Sequence, residues 1–187
     1  KDFGVFLYRI HDLPNKEKID DLKYFLKKIG YKINTKGENI SAEEINNLMR
    51  QLDGHPLQNT IGNMVIRSMA KANYSTKNIG HFGLGFRYYT HFTSPIRRYP
   101  DVVVHRLLFE YLEKRKIEKK HWDSYEKICL DSSLREKEAS EAERSSIKYK
   151  QVEYMSGKIG ENFEGTITGV TEWGLFVEED KTKCEGL

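Results

Sequence analysis

Two adjacent arginines stand between prolines in the stretch HFTSPIRRYPDVVVHRLL, just ahead of an apolar run with helical spacing. Proline is favoured at the first position of a helix, where its missing N–H costs nothing. The sequence therefore predicts a helix that begins at Tyr99 or Pro100, directly after Arg97 and Arg98. A start at Pro95 would place Pro100 inside the helix, at a cost of about 3 kcal/mol.

A loop that runs into such a helix has the parts of an anion site. Residues 94–98 would bring two guanidinium groups, backbone N–H groups and the positive end of the helix dipole together, and phosphate binds to such arrangements. A solvated basic loop is the alternative, and the spacing alone leaves both open. Asp101 and His105 are four residues apart on the same helix and could pair as part of the scaffold.

The composition sets wide limits on the class of protein. The chain has 187 residues, 38% hydrophobic and 32% charged, with a net charge of +3. That small charge does not exclude nucleic-acid binding, which depends on where basic groups cluster. No run approaches the ~18 apolar residues of a membrane span. Cys129 and Cys184 are far apart without a CxxC motif, which favours free thiols in a reducing cytoplasm over a disulfide.

The elements that must position the arginines follow from periodicity. An extended segment is predicted over Phe3–Ile10, and a packed loop rich in glycine and aromatic residues over 78–94. Helical patterns cover 14–30, 41–54 with a capping box of Ser41 and Glu44, 59–72, the run to Leu112, and Trp122–Met155, where one break is allowed. Beyond a boundary near residue 158, two strands joined at 171–172 and the start of a third are predicted. Because the chain lacks an initial methionine and stops inside a predicted strand, we expect a fragment of a longer protein.

A longer stretch of the sequence relates these patterns to a known protein family. HFGLGFRYYTHFTSPIRRYPDVVVHRLL closely resembles the signature of the ribonuclease II/R exoribonucleases within their RNB catalytic domain, and FLYRIHDLPNKEKIDDL and SSLREKEASEAER resemble its flanking segments. GKIGENFEGTITGVTEWGLFVEE is similar to the opening of an S-one RNA-binding domain, an OB-fold. The order of parts is similar to the bacterial ribonuclease R branch. The resemblance implies a mainly α fold: 1–157 as the C-terminal part of an α+β RNB domain, and 158–187 as the first strands of a truncated OB-fold.

The resemblance also implies an activity for a longer parent protein. The family degrades single-stranded RNA processively from the 3′ end, by metal-assisted hydrolysis that releases nucleoside 5′-monophosphates. Its magnesium ligands are aspartates that correspond to sequence upstream of Lys1. We therefore expect no metal ligands in this chain and no activity from the chain alone. The implied partner is single-stranded RNA, with no membrane and no obligate protein partner, in the cytoplasm.

Site residues carry over from matching motif positions. Arg97 corresponds to the family's phosphate-contacting arginine, and Glu143 to a glutamate near the 3′-terminal nucleotide, so both are predicted to be catalytic. The remaining candidates are expected to line or support the site or to contact RNA: His91, Thr93, Ser94, Arg98, Tyr99, Trp173 and Phe176. For Phe176, core packing is an equal alternative. A non-catalytic RNA-binding module of the same fold is the alternative function, and a helical protein-interaction module is the third.

Overall fold

The computed structural model describes residues 4–33, 40–55, 57–115, 117–118 and 121–187. Within these residues the chain is mainly helical, with two small antiparallel sheets, which confirms the predicted mainly α class. The chain divides into two compact units, the first ending at Leu134 and the second beginning at Arg135. The proposed division of domains at 157/158 stays a prediction.

Three helices form one core of the first unit: α1 (Lys16–Lys28), α2 (Ala42–Gln51) and α3 (Gln58–Ser68). Asn15 and Ser41 cap the first two, since their side chains accept hydrogen bonds from the N–H groups of Lys18 and Glu44. The capping role predicted for Ser41 is confirmed. Helix α3 ends before the predicted residue 72 because Met69 is already extended. Their apolar faces meet through Ile19, Leu22, Leu26, Ile40, Ile45, Leu48, Leu52, Ile61 and Val65.

A second core lies beneath the arginine turn. Strand β1 (Tyr8–Ile10) pairs antiparallel with β2 (Asn73–Ser75), in a register that sets Arg9 opposite Tyr74. Phe3, part of the predicted extended segment, lies outside the described residues. Helix α4 (Tyr99–Leu112) begins at the predicted residue, with Arg98 as its N-cap. Its buried face packs against β2, the segment before β1 and the start of the last helix, in a core formed by Val5, Leu7, Tyr74, Val103, Val104, Leu107 and Cys129.

Helix α5 (Trp122–Ser156) is continuous for 35 residues, without the break that the sequence allowed. Its first turns complete the second core, where Cys129 is fully buried. Burial, with the nearby Glu126 carboxylate, raises the pKa of the Cys129 thiol to about 12. Both cysteines are free, as predicted. No helix among the described residues is long and apolar enough to cross a membrane.

The second unit contains the C-terminal part of α5 and a three-stranded sheet. Strands β3 (Gly165–Thr171) and β4 (Gly174–Glu179) form a hairpin around a two-residue turn, and β5 (Glu185–Gly186) pairs with β4. Glu172 and Trp173 form this turn, and Gly174 directly after it adopts a φ of +153°, which glycine tolerates better than other residues. Lys148 and Gln151 of α5 donate hydrogen bonds to carbonyls of residues 185 and 183. All three predicted strands are present.

Candidate active site

Asp101 organises the turn that carries the two arginines. Its side chain is completely buried in the first turn of α4. One of its oxygens, Oδ2, accepts a hydrogen bond from the Ser94 N–H at 2.8 Å and another from Arg98 Nη2 at 2.9 Å. The Ser94 carbonyl in turn accepts the N–H groups of Arg97 and Arg98, at 3.2 and 3.0 Å. Residues 94–101 are therefore held from both ends of the turn.

The two arginines have different surroundings. The Arg98 side chain is only 21% exposed and forms an ion pair with Asp101. Arg97 is exposed, and its guanidinium has no hydrogen bond or ion pair to any residue that the structure describes. The spacing alone left open whether both guanidiniums converge on an anion, and the resemblance assigned Arg98 only a supporting place; in the structure the charge of Arg98 is neutralised by the buried Asp101. Arg97 alone is available to an incoming anion.

The ion pair leaves two polar atoms unsatisfied within the described part of the chain. Arg98 Nε and Asp101 Oδ1 are both buried without a hydrogen-bond partner. One is a donor and the other an acceptor on groups that are already joined through Nη2 and Oδ2. Closing a second bond between them would give the bidentate arrangement that arginine and carboxylate favour. Arg98 Nε and Asp101 Oδ1 can therefore still form a hydrogen bond at the base of the turn.

Two histidines fix the loop that leads into the turn. His91 Nδ1 and the Tyr74 hydroxyl are joined by a hydrogen bond of 2.8 Å, which ties the loop to β2. His105 Nε2 lies 2.8 Å from the Phe92 carbonyl oxygen, and its ring stacks on Phe92 with centroids 4.1 Å apart. The predicted pairing of Asp101 with His105 was therefore wrong. Each side chain instead contacts the loop on the N-terminal side of α4.

The surface around Arg97 is formed by residues that the sequence also selected. Thr93 and Tyr99 are exposed on either side of the turn, and Ser94 is partly buried because it bonds to Asp101. Between them Ile96 is fully exposed. The structure thus gathers His91, Thr93, Ser94, Arg97, Arg98 and Tyr99 into one segment of the first unit.

Glu126 is a supporting residue that the sequence did not reveal. Its carboxylate accepts hydrogen bonds from the Thr76 N–H and hydroxyl and from the Ser75 hydroxyl, so it ties α5 to the end of β2. Burial raises the pKa of Glu126, but the bonds from Thr76 and Ser75 outweigh it and leave the pKa below its ordinary value. Fifty residues separate the partners, and no local pattern signals such a contact.

The other candidates lie in the second unit. Glu143 is exposed on α5. Trp173 stands at the tip of the β3–β4 hairpin with 87% of its surface exposed. Phe176 is partly buried on β4, opposite Gly169. The exposure of Trp173 suits a contact surface, while the partial burial of Phe176 fits either contact or core packing.

Metal ligation would require several donor side chains around one point. Nowhere in the described ranges do three or more histidine, cysteine, aspartate or glutamate side chains come together as a potential metal site. The donor set that Mg²⁺ requires, several carboxylate or carbonyl oxygens around one point, is therefore not formed by this part of the chain.

Comparison with known proteins gives a consistent result. The RNB domain pattern matches residues 4–114. Over 97% of its length the chain is 42% identical to ribonuclease R of Aquifex aeolicus and 43% identical to that of Thermotoga maritima, and it covers 26% of each protein. The solved structure of Mycoplasma genitalium RNase R in complex with ribose-methylated single-stranded RNA superimposes with a TM-score of 0.87 and 29% identity, over 98% of this chain and 29% of that one. The chain thus spans about a quarter of the length of these curated relatives.

Asp101→Asn tests the buried ion pair. Asparagine keeps an oxygen for the Ser94 N–H but loses the charge that neutralises Arg98. We expect the free energy of unfolding to fall by about 2–3 kcal/mol, measured by urea denaturation. Asp123→Asn is the matched control, since Asp123 is an exposed acid in the first turn of α5 and its loss should change stability by less than about 0.5 kcal/mol. Equal effects of the two substitutions would contradict the role assigned to Asp101.

Proposed function

The chain belongs to the RNB domain family, and from that premise we propose that the complete protein is a 3′-to-5′ exoribonuclease. It hydrolyses single-stranded RNA processively to nucleoside 5′-monophosphates. The observation that carries the proposal is the exposed guanidinium of Arg97, on a turn fixed by a buried carboxylate and without a partner in the described part of the chain. A phosphodiester is the ligand in RNA that an unpaired, rigidly mounted arginine binds best.

Arg97 binds and orients the reacting phosphate in this proposal. A guanidinium presents two parallel N–H groups to two phosphate oxygens, and it stabilises the charge that increases on those oxygens as the phosphodiester is attacked. The fixed turn matters because the backbone that carries Arg97 need not reorganise when the charge develops. Arg98 acts as a positioning residue through Asp101.

Glu143 is assigned to the 3′-terminal nucleotide. Its carboxylate is exposed on α5 and can accept hydrogen bonds from ribose hydroxyl groups. Such a contact distinguishes RNA from DNA, because only RNA carries the 2′-hydroxyl. The assignment rests on the AER motif position.

Mg²⁺ is proposed as the cofactor of the complete enzyme, with ligands outside this chain. Divalent metals stabilise charge on phosphoryl oxygens and activate water for attack. The described residues form no group that could hold the ion. What this chain supplies is therefore the binding and orientation of RNA.

The second unit is proposed to be the first part of an OB-fold that binds RNA. The hairpin with a third strand and the exposed ring of Trp173 support this assignment. Aromatic rings on such sheets stack against bases with little sequence preference. Action on RNA also fits the proposed cytoplasmic location.

Arg97→Ala in the complete enzyme tests the catalytic role. We expect kcat to fall by about a thousandfold, while the affinity for RNA stays nearly unchanged, because the guanidinium acts mainly on the charge of the transition state. Single-turnover assays and filter binding measure the two quantities separately.

Two further variants accompany Arg97→Ala. Arg97→Lys keeps the charge but loses the two-pronged geometry and should recover only part of the rate. Arg50→Ala removes an exposed arginine from α2 and should leave turnover unchanged. Equal losses of rate and binding in Arg97→Ala would contradict a transition-state role, and full activity would favour a non-catalytic RNA-binding module.

The 187-residue chain alone should not degrade RNA in the presence of Mg²⁺. The expectation follows from the missing donor set, since the described residues form no metal site. Gel analysis of a labelled oligonucleotide checks it, with the complete enzyme as the positive control and EDTA as the test of metal dependence. Mononucleotide release by the purified chain would show that upstream ligands are dispensable.

Trp173→Ala should weaken RNA binding by the complete enzyme without slowing cleavage of short substrates. Stacking of one base on an exposed aromatic ring contributes about 1–3 kcal/mol, or roughly fivefold to more than a hundredfold in affinity. Val170→Ala removes a non-aromatic side chain from the same hairpin that is also largely exposed, at 75%, and serves as the control. Filter-binding curves that coincide for wild type and Trp173→Ala would refute the contact.

A further inference from the structure

A cleft of about 830 Å³ lies in the first unit, apart from the arginine turn. Residues 78–82 and 85–88 of the glycine-rich loop form much of its wall, together with 11–13 after β1 and 40–42 at the start of α2. Neither Arg97 nor Arg98 lines it. Its volume falls in the range typical of small-molecule pockets.

Three flat rings are stacked in the wall of this cleft. The rings of His11 and His81 are 5.0 Å apart at 15°, and those of His11 and Phe82 are 6.2 Å apart at 14°. All three rings are therefore close to parallel. A further flat ring can extend such a stack without changing the orientation of its members.

Hydrogen bonds indicate the tautomer of both imidazoles. His11 Nδ1 accepts the N–H of Gly83, and His81 Nδ1 accepts the N–H of Leu84. An Nδ1 atom that accepts carries no proton, so each neutral ring bears its proton on Nε2 and can donate from it. Burial, then the proximity of His11 and Arg9, lowers the pKa of His81, which favours this neutral form.

Exposed aromatic surface continues the wall. Phe86 and Tyr88 are 53% and 63% exposed. The Arg87 guanidinium lies 5.5 Å from the centre of the Tyr88 ring. Flat rings with a cation beside them are the usual means by which proteins hold single-stranded nucleic acid.

Backbone hydrogen bonds hold the loop that forms the wall. His81 and Phe86 exchange backbone hydrogen bonds of 2.8 and 3.3 Å, and the His11 carbonyl accepts the Phe82 N–H at 2.9 Å. Gly80 is required here, because its φ is +83° and a Cβ would meet the Phe86 carbonyl oxygen at 3.2 Å. A wall that is already ordered loses little conformational entropy when it binds.

The charges around the cleft are mixed. Arg87 provides a positive charge, while Asp12 contributes a carboxylate that accepts the Leu13 N–H. Glu43 and Glu44 lie in the first turn of α2, and residues 41–42 at the start of that helix line the cleft. These mixed charges do not favour the binding of a simple anion. A ligand that combines an aromatic ring with one phosphate suits these walls better.

We infer that this cleft binds one nucleotide of single-stranded RNA, its base stacked on the exposed rings and its phosphate beside Arg87. The inference rests on the proposed function for the identity of the polymer, but not on the catalytic role of Arg97. The cleft would hold a nucleotide of the substrate apart from the arginine turn and so add to affinity without taking part in bond cleavage.

Titration of the 187-residue chain with adenosine 5′-monophosphate, followed by NMR, tests the inference. We expect saturable shifts of the His11 and His81 ring signals and of the amides of 78–88. Ribose 5-phosphate, which lacks the base, should produce no such shifts at the same concentration. Tyr88→Ala should weaken binding of the nucleotide by about tenfold.

Tyr24→Ala is the matched control. Tyr24 is 64% exposed on α1 with the Lys28 ammonium over its ring, so it repeats the exposure and the cation contact of Tyr88 away from the cleft. Its substitution should leave affinity unchanged. Equal affinities for wild type and Tyr88→Ala, no saturation at millimolar nucleotide, or shifts confined to residues outside the cleft would each overturn the inference.

Arg97→Ala separates this inference from the proposed function. That variant should bind adenosine 5′-monophosphate like wild type, because Arg97 does not line the cleft. If the complete enzyme loses turnover on Arg97→Ala while Tyr88→Ala leaves nucleotide affinity intact, the cleft is refuted and the nuclease stands. The reverse pattern, an intact nuclease with a Tyr88-dependent nucleotide site, refutes only the role of Arg97.

Discussion

A carboxylate buried without water must be neutralised, and Asp101 imposes that requirement on everything around it. Its Oδ2 accepts hydrogen bonds from the Ser94 N–H and from one guanidinium N–H of Arg98, and these bonds fix the backbone between the two residues. The turn cannot change its conformation without exposing the Asp101 carboxylate to solvent or leaving it without its partners. Arg97 projects from a segment whose conformation is set by its neighbours. A cation that stabilises a transition state is most effective when the backbone that carries it is already fixed.

The same principle recurs where loops join the strands. Glu126 collects three hydrogen bonds from Ser75 and Thr76, and His91 meets the Tyr74 hydroxyl at the neighbouring strand position. In the glycine-rich loop, imidazole nitrogens perform this task by accepting backbone N–H groups. Partly buried side chains thus anchor successive loops around one small two-stranded sheet. Long connections carry the candidate functional groups, and these anchors limit their freedom.

Residue types and their local spacing predicted most of the helices and strands but few of the side-chain contacts between distant residues. The start of α4, the Ser41 cap and the three strands of the second unit follow from residue types within a few positions of one another. The proposed pair of Asp101 and His105 obeyed helical spacing, yet each side chain has its partner in the preceding loop, where spacing gives no guidance. Glu126 was missed for the same reason. Family resemblance, rather than local physics, separated Arg97 from Arg98 and selected Glu143, whose exposed position on a charged helix carries no signal of its own.

The thiol of Cys129 has a consequence for how the first unit can be followed in solution. It is fully buried where the strands meet α4 and α5, and its pKa of about 12 keeps it protonated at neutral pH. A protonated, inaccessible thiol does not react with alkylating reagents until the surrounding structure opens. The rate at which Cys129 is alkylated therefore reports how often the core that supports the arginine turn opens, without an added label.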